Sequence, residues 1–372
     1  MYFDERPKTR LEDFFNREKE LQLFRESITR GSPLILLVGL RRAGKTSLLY
    51  TGLNTLNVRS ILLDMRRFEE RPAISRVEFL EALSDAISAI IDRTRGLRDY
   101  LKKVRGVEVM GARIEFEWSK KKRLSITSLL EKLDEWANSS GERIVVAFDE
   151  AQILSKLRGI NLLPILAYCY DRLRNITIIL TGSEVGLLHR FLRLEEPRAP
   201  LYGRHYTEVR LENLDYERSM EFLRIGFAQL GIKPPVDVLQ YAVERLDGVL
   251  GWLTEFGLTA KQYGCTHKAV DATLERGAAL ALHEFENFLS IRGIAARRYR
   301  MAAELMAQTT VNWMKIKRYL QAMEGRTVSD NTLHNIINSL ANSGFIRRVD
   351  DGYEIADPVL RYALLARHHK QA

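Results

Sequence analysis

Gly39-Leu40-Arg41-Arg42-Ala43-Gly44-Lys45-Thr46 carries the residue types and spacing that most directly imply chemistry. The pattern G-x-x-x-x-G-K-[ST] lets the chain fold so that successive amide N–H groups, from Gly39 through Ser47, point inward at phosphate oxygens. Lys45 is expected to bridge the β and γ phosphates. The Thr46 hydroxyl is expected to ligate magnesium, and a helix starting there adds partial positive charge at its N-terminus. A second element lies about a hundred residues downstream, where Arg143-Ile144-Val145-Val146-Ala147-Phe148 ends in Asp149-Glu150. Asp149 would hold magnesium directly or through water, because a hard cation takes oxygen ligands. Glu150 could polarise an attacking water; the alternative is a surface carboxylate closing the strand. The expected ligands are ATP and Mg²⁺.

These residues need a rigid frame. Pro33-Leu34-Ile35-Leu36-Leu37-Val38 is a continuous apolar, β-branched run that reads as a strand buried on both faces. Arg59 to Asp64, Arg143 to Asp149, Ile176 to Thr181 and Tyr206 to Leu211 read likewise, with helical stretches between them. Five such strands predict a doubly wound parallel sheet. Thr181 and Ser183, at the end of the fourth strand, are placed to bond the γ-phosphate or the water. Before Glu184 they suit a helix cap equally well.

Together these residues resemble the archaeal-type ATPases of the signal-transduction (STAND) branch of the AAA-like P-loop NTPases, related to origin-recognition ATPases. The resemblance rests on Phe15-Asn16-Arg17-Glu18-Lys19-Glu20-Leu21, on Gly39 to Leu48 with its paired Arg41 and Arg42, and on Phe148 to Gln152. Leu180-Thr181-Gly182-Ser183 and Pro200-Leu201-Tyr202-Gly203-Arg204 add to it. It implies an α/β core of the ASCE type, followed by a helical lid and a winged helix. It also implies that the segment with Arg17 packs near the adenine and that Arg204 reaches the γ-phosphate as an arginine finger or sensor. A pairing of Arg204 with a carboxylate at a domain joint is the plainer alternative. The family tends to carry Gly-x-Pro in its lid; the matching stretch here, Gly248 to Leu253, lacks the proline.

Three regions follow: a core over 1–211, a lid over 212–290 and a winged helix over 291–372. In the lid, Asp215, Pro234-Pro235 and Gly264 punctuate helical periodicity. In the winged helix, Ser329-Asp330 caps a helix with Leu333, Ile336, Ile337 and Leu340 on one face, and Gly344 ends it. Phe345 to Val349, an Asp-Gly turn and Tyr353 to Ile355 then make the wing. From Ile294 to Ala372 there are 12 basic and 7 acidic residues. Yet the helix itself has no Lys or Arg, and offers Asn331, His334, Asn335 and Asn338 for base edges. Lys315, Lys317, Arg318, Arg347 and Arg348 stand ready to flank phosphates. Protein docking would use the same module.

An insertion over 93–123 departs from the expected spacing. It pairs Val107 to Met110 with Arg113 to Trp118 around Gly111, beside the run Lys120-Lys121-Lys122-Arg123. This basic hairpin suits a partner-binding element or a solvated cover for the sheet edge. The net charge of +9 and a pI near 9.4 favour contact with polyanions, and abundant Arg, Lys and Glu is also a trait of heat-adapted proteins. Two cysteines, Cys169 and Cys265, lack metal-ligand spacing. No membrane span is expected, and the charged start Met1 to Arg6 argues for the cytoplasm.

The expected activity is slow ATP hydrolysis that switches lid and winged helix. The alternative is a DNA-binding initiator or mobile-element-associated ATPase, and a third reading is nucleotide binding without turnover. A kinase is disfavoured, because no acceptor pocket is visible. Oligomeric state stays open, since Arg204 acting in trans would need a ring or dimer.

Overall fold

The apolar runs become strands. A computed structural model of the chain describes residues 1–372 apart from 92, 93, 95, 112, 117–124, 184, 291 and 372. In chain order the strands are β1 Leu34–Gly39, β2 Arg59–Asp64, β3 Val107–Met110, β4 Arg113–Phe116, β5 Ile144–Asp149, β6 Ile176–Gly182, β7 Thr207–Leu211, β8 Ile346–Val349 and β9 Gly352–Ile355. Five of them form one sheet in the order β2-β5-β6-β1-β7, with every pairing parallel. β6 therefore lies between β1 and β5. The register sets Leu37 opposite Thr181 and Asp64 opposite Asp149, so the loop after β1 and the acids after β5 share the carboxyl edge of the sheet. That edge is where open α/β sheets bind ligands.

Alternation along the strands divides the core. Leu36, Val38, Val146, Phe148, Ile178 and Leu180 face one side, packed by the helices Arg76–Ile91, Ile126–Ser140 and Leu162–Arg172. Ile35, Leu37, Val145, Ala147, Ile179 and Val209 face the other, packed by Glu18–Thr29 and Lys45–Leu56. Burial on both faces is what parallel strands require. The predicted hairpin is present as β3 and β4, paired from Val107 with Phe116 to Met110 with Arg113. It is not free-standing: Ile114 N donates to Ser88 Oγ at 3.0 Å and the Ser84 hydroxyl donates to Ile114 O, so it lies on the helix Arg76–Ile91. Arg93, Glu117, Trp118 and the run from Lys120 to Arg123 lie outside the described residues.

Beyond β7 come helices Tyr216–Gln229, Val236–Leu246, Leu250–Tyr263 and His267–Ser290. Asp215 caps the first, accepting from Arg218 N at 2.7 Å. Helices Ala296–Gln308, Trp313–Glu324 and Asp330–Asn342, the β8–β9 wing and the helix Pro358–Gln371 follow. Ser329 caps the third of these, accepting from Thr332 N at 3.2 Å. The sequence separates lid from winged helix near residue 290, but one apolar core runs through both. Phe345 of the wing packs edge-on to Phe285 and Phe288 of the lid, with ring centroids 5.2 and 4.7 Å apart. Phe3 and Phe15 also enter this core, although they precede β1. Among the described residues no helix is long and apolar enough to cross a membrane.

Candidate functional site

The loop after β1 is shaped by glycine. Gly44 has φ +98 and caps the helix Lys45–Leu56; Gly39 has φ +152, and a Cβ there would meet the Leu211 carbonyl. Both positions need glycine's freedom. Lys45 is buried, and its Nζ donates to the carbonyls of Gly39 at 3.0 Å and Leu40 at 2.8 Å. Burial pushes its ammonium below the ordinary value, while Glu150 and Asp149 act the other way.

The two acids occupy distinct settings. Asp149 Oδ2 accepts from Thr46 Oγ1 at 2.9 Å and from Arg66 Nη2 at 3.2 Å, and its Oδ1 accepts from the Thr181 hydroxyl. Burial pushes this carboxyl upward, and the bonds from Thr181 and Thr46 oppose it. Glu150 takes a left-handed backbone, φ 54, which turns it away from the strand line. Its Oε2 accepts from Ser183 Oγ at 2.7 Å, Ser183 N at 3.1 Å and Gln152 Nε2 at 2.7 Å. Burial pushes Glu150 upward, but Lys45 and these donors prevail, and the carboxyl lies below its usual range. The hydroxyls of Thr181 and Ser183, expected to face phosphate or water, each bond one of these acids. Thr46 and Asp149 present adjoining oxygen donors, the set a magnesium ion takes, so the residues present fit that ion.

Arg41 and Arg42 leave the loop in another direction. Arg42, with φ 64, stacks over Trp252 at 4.2 Å, donates to Glu284 at 2.8 Å and lies 3.9 Å from Asp357. Arg41 reaches Glu284 at 3.1 Å. Trp252 Nε1 donates to Asp357 at 3.0 Å, and Gly251 N donates to the Arg42 carbonyl at 3.0 Å. A Cβ on Gly251 would sit 2.6 Å from Arg42 Cβ. The lid stretch that lacks the family's proline is thus the part that grips the loop. Leu40, Arg41, Ser183, Glu284, Ser343 and Gly344 line a small cavity between loop, lid and winged helix.

Other expected residues are held differently. The Ser47 hydroxyl accepts from Lys8 N at 3.0 Å, so a strap from the N-terminus crosses this helix. Arg17 is buried at a turn whose residues Asn16 and Arg17 both have positive φ; it donates to Glu20 at 3.2 Å and to the Glu212 carbonyl just past β7. Arg204 stands away from this chain's own pocket, paired with a carboxylate. It precedes β7 and so lies at the amino edge of the sheet, where its Nη2 and Nε bond Asp171 at 2.6 and 3.0 Å. A strand's length of roughly 17–20 Å separates that edge from the phosphate loop. Asn331, His334, Asn335 and Asn338 are exposed, as are Lys315, Arg318 and Arg348; Lys317 pairs with Asp330 at 2.8 Å and Arg347 with Glu354 at 2.7 Å.

Sequence reasoning missed Arg66, Glu284 and Asp357. Only Arg66 had a signal, its place two residues past the acid that ends β2.

A family model described as an ATPase domain predominantly from Archaea matches residues 14–256. One for the MCM protein C-terminal winged helix-turn-helix domain matches residues 294–356. Among solved structures, the Walker-type ATPase paby2304 of Pyrococcus abyssi is 36% identical with a TM-score of 0.84, over 98% of this chain and 99% of that one. The ORC2 protein of Aeropyrum pernix, solved in ADPNP–ADP complexes, is 15% identical with a TM-score of 0.60, over 99% of this chain and 98% of that one. That second likeness is one of fold alone. No curated protein matches the chain.

Proposed function

The chain belongs to the ATPase family found predominantly in Archaea, and from that premise we propose a slow ATP hydrolase whose nucleotide state sets the position of lid and winged helix. The observation that carries this reading is the double attachment of one loop. Lys45 and Thr46 face the acids, while Arg41 and Arg42 are bonded to Glu284 of the lid and Arg42 approaches Asp357 beside the winged helix. A triphosphate entering the loop would draw Lys45 off the Gly39 and Leu40 carbonyls and reshape the turn that Arg42 caps. Lid contacts made through that turn would change with it.

Within the site, Thr46 and Asp149 would hold magnesium, which when bound neutralises charge on the β and γ oxygens. Lys45 binds and orients the triphosphate. Glu150, kept ionised by Lys45, Ser183 and Gln152, accepts a hydrogen bond from the attacking water and aligns it with the terminal phosphorus. Thr181 fixes Asp149, and Ser183 fixes Glu150. Arg204 could serve only a neighbouring copy. The deciding experiment pairs Lys45→Ala with Glu150→Gln, scoring ATP affinity by equilibrium dialysis and phosphate release. Lys45→Ala should lose affinity; Glu150→Gln should retain it and lose roughly 10²-fold or more in turnover. Equal affinity in Lys45→Ala and the parent would end the proposal.

The exposed Asn331, His334, Asn335 and Asn338 support a second reading, in which the winged helix takes duplex DNA. Binding should then fall steeply with salt and weaken when Lys315 and Arg348 become alanine. A flat anisotropy titration at low salt would dismiss it.

A further inference from the structure

One cation at the phosphate edge has no part in the scheme above. Arg66 lies in the short turn Met65–Phe68 that follows β2. Asp64 grips its guanidinium side-on: Oδ1 accepts from Nε at 2.9 Å, and Oδ2 accepts from Nη2 at 2.7 Å. The same carboxylate accepts from Arg66 N at 3.0 Å, which fixes the turn itself. Because Asp64 and Asp149 are register partners on adjacent strands, two carboxylates stand side by side. Arg66 Nη2 bridges them, reaching Asp149 Oδ2 at 3.2 Å. That oxygen also accepts from Thr46 Oγ1 at 2.9 Å. Asp149 is buried, whereas 44% of the Arg66 side chain is exposed, so the guanidinium stands at the mouth.

We infer that Arg66 is a resident counter-cation of Asp149 that a divalent ion must displace, and that it thereby sets how much metal the pocket needs. This rests on the nucleotide-site reading. A guanidinium cannot shed its proton at any ordinary pH, so it cannot become neutral to make room. It can only move. An ion approaching the Thr46 and Asp149 oxygens meets a like charge bonded to one of them, and the two cations compete for Oδ2. Asp64 keeps the displaced guanidinium within the site and lets it return when the ion leaves. Metal binding and the Arg66–Asp149 contact are therefore linked with opposite sign, and by linkage each weakens the other equally.

The test uses the full chain with ADP bound and Mn²⁺ as probe, counting free Mn²⁺ by its paramagnetic resonance. Arg66→Gln should tighten Mn²⁺ binding by roughly tenfold, a modest part of what one like charge at hydrogen-bonding range is worth at an effective dielectric near 20. Arg66→Lys should fall between glutamine and the parent, since it keeps the charge and loses the side-on grip. A melting curve for each variant confirms folding. If Arg66 merely ties the strand ends together, the melting curve shifts and Mn²⁺ affinity does not; that result, or weaker Mn²⁺ binding in folded Arg66→Gln, overturns the inference. Lysine binding Mn²⁺ as tightly as glutamine also counts against it. A parent chain that binds no ADP in dialysis would instead sink the nucleotide-site reading, and this inference with it.

Discussion

Lys45 and Arg42 are three residues apart on one loop and serve opposite neighbourhoods. On the Lys45 side each partner comes from the carboxyl edge of the sheet: Asp149 and Glu150 at the end of β5, Thr181 and Ser183 at the end of β6, Thr46 from the loop's own helix. Neighbouring strands fix these groups, which suits chemistry that depends on placement. On the Arg42 side each partner is remote in sequence and belongs to another layer: Trp252 and Glu284 from the lid, Asp357 from the last region. The contrast sets one loop between a rigid sheet edge and a lid, which is the arrangement the proposed switch needs.

Truncating Arg42 gives the sharpest break in that contrast. Arg42→Ala leaves Glu284 with Arg41 and leaves the half-buried Asp357 without its nearby cation. Burial already pushes the Asp357 carboxyl above its usual range, and Arg42 is the largest influence opposing that. The variant should lose about 2–3 kcal/mol of stability, near the lower end for breaking a buried pair because both side chains keep some water contact. Urea denaturation measures the loss. Hydrogen exchange should quicken in Leu250–Tyr263 and Pro358–Gln371 while ATP affinity falls little. If affinity collapses as it would for Lys45→Ala, the two sides are not separable and the comparison fails.

The same contrast explains what the sequence made legible. The gathering of Gly39 to Thr46, Asp149 and Glu150 at one edge was readable because it depends on short spacing after apolar strands, and spacing survives without a structure. The five strands and the Ser329-capped helix were readable for the same reason. Glu284 sits among other charged residues on a helix of 24 and carries no local mark. Asp357 reads as a turn residue before a proline. Their roles arise only when three regions close on one loop. Arg204 shows the converse limit: residue type and motif suggest a phosphate contact, but the edge of the sheet on which it lies is a property of topology. The core shared by lid and winged helix was illegible in the same way, because periodicity marks helices without saying which cores they share.

A smaller effect sharpens the claim that lid and winged helix share one core. Glu286 of the lid accepts from Arg300 Nη2 at 2.7 Å and from Arg367 Nη1 at 2.6 Å, tying the helix His267–Ser290 to two helices of the last region. The Arg300 bond is the main cause holding this carboxyl below its usual range; burial opposes it and Arg367 assists. A lowered folded-state pKa means the stabilisation is fully present above the ordinary carboxylate value and disappears as pH falls through the depressed one. Glu286→Gln should therefore cost less than about 1 kcal/mol at neutral pH, since more than a third of the side chain is exposed and water screens it. Urea midpoints of variant and parent should converge in acid. A gap that stayed constant down to the acid limit would show that Glu286 acts through packing, and the ion triad would then have no part in coupling the two regions.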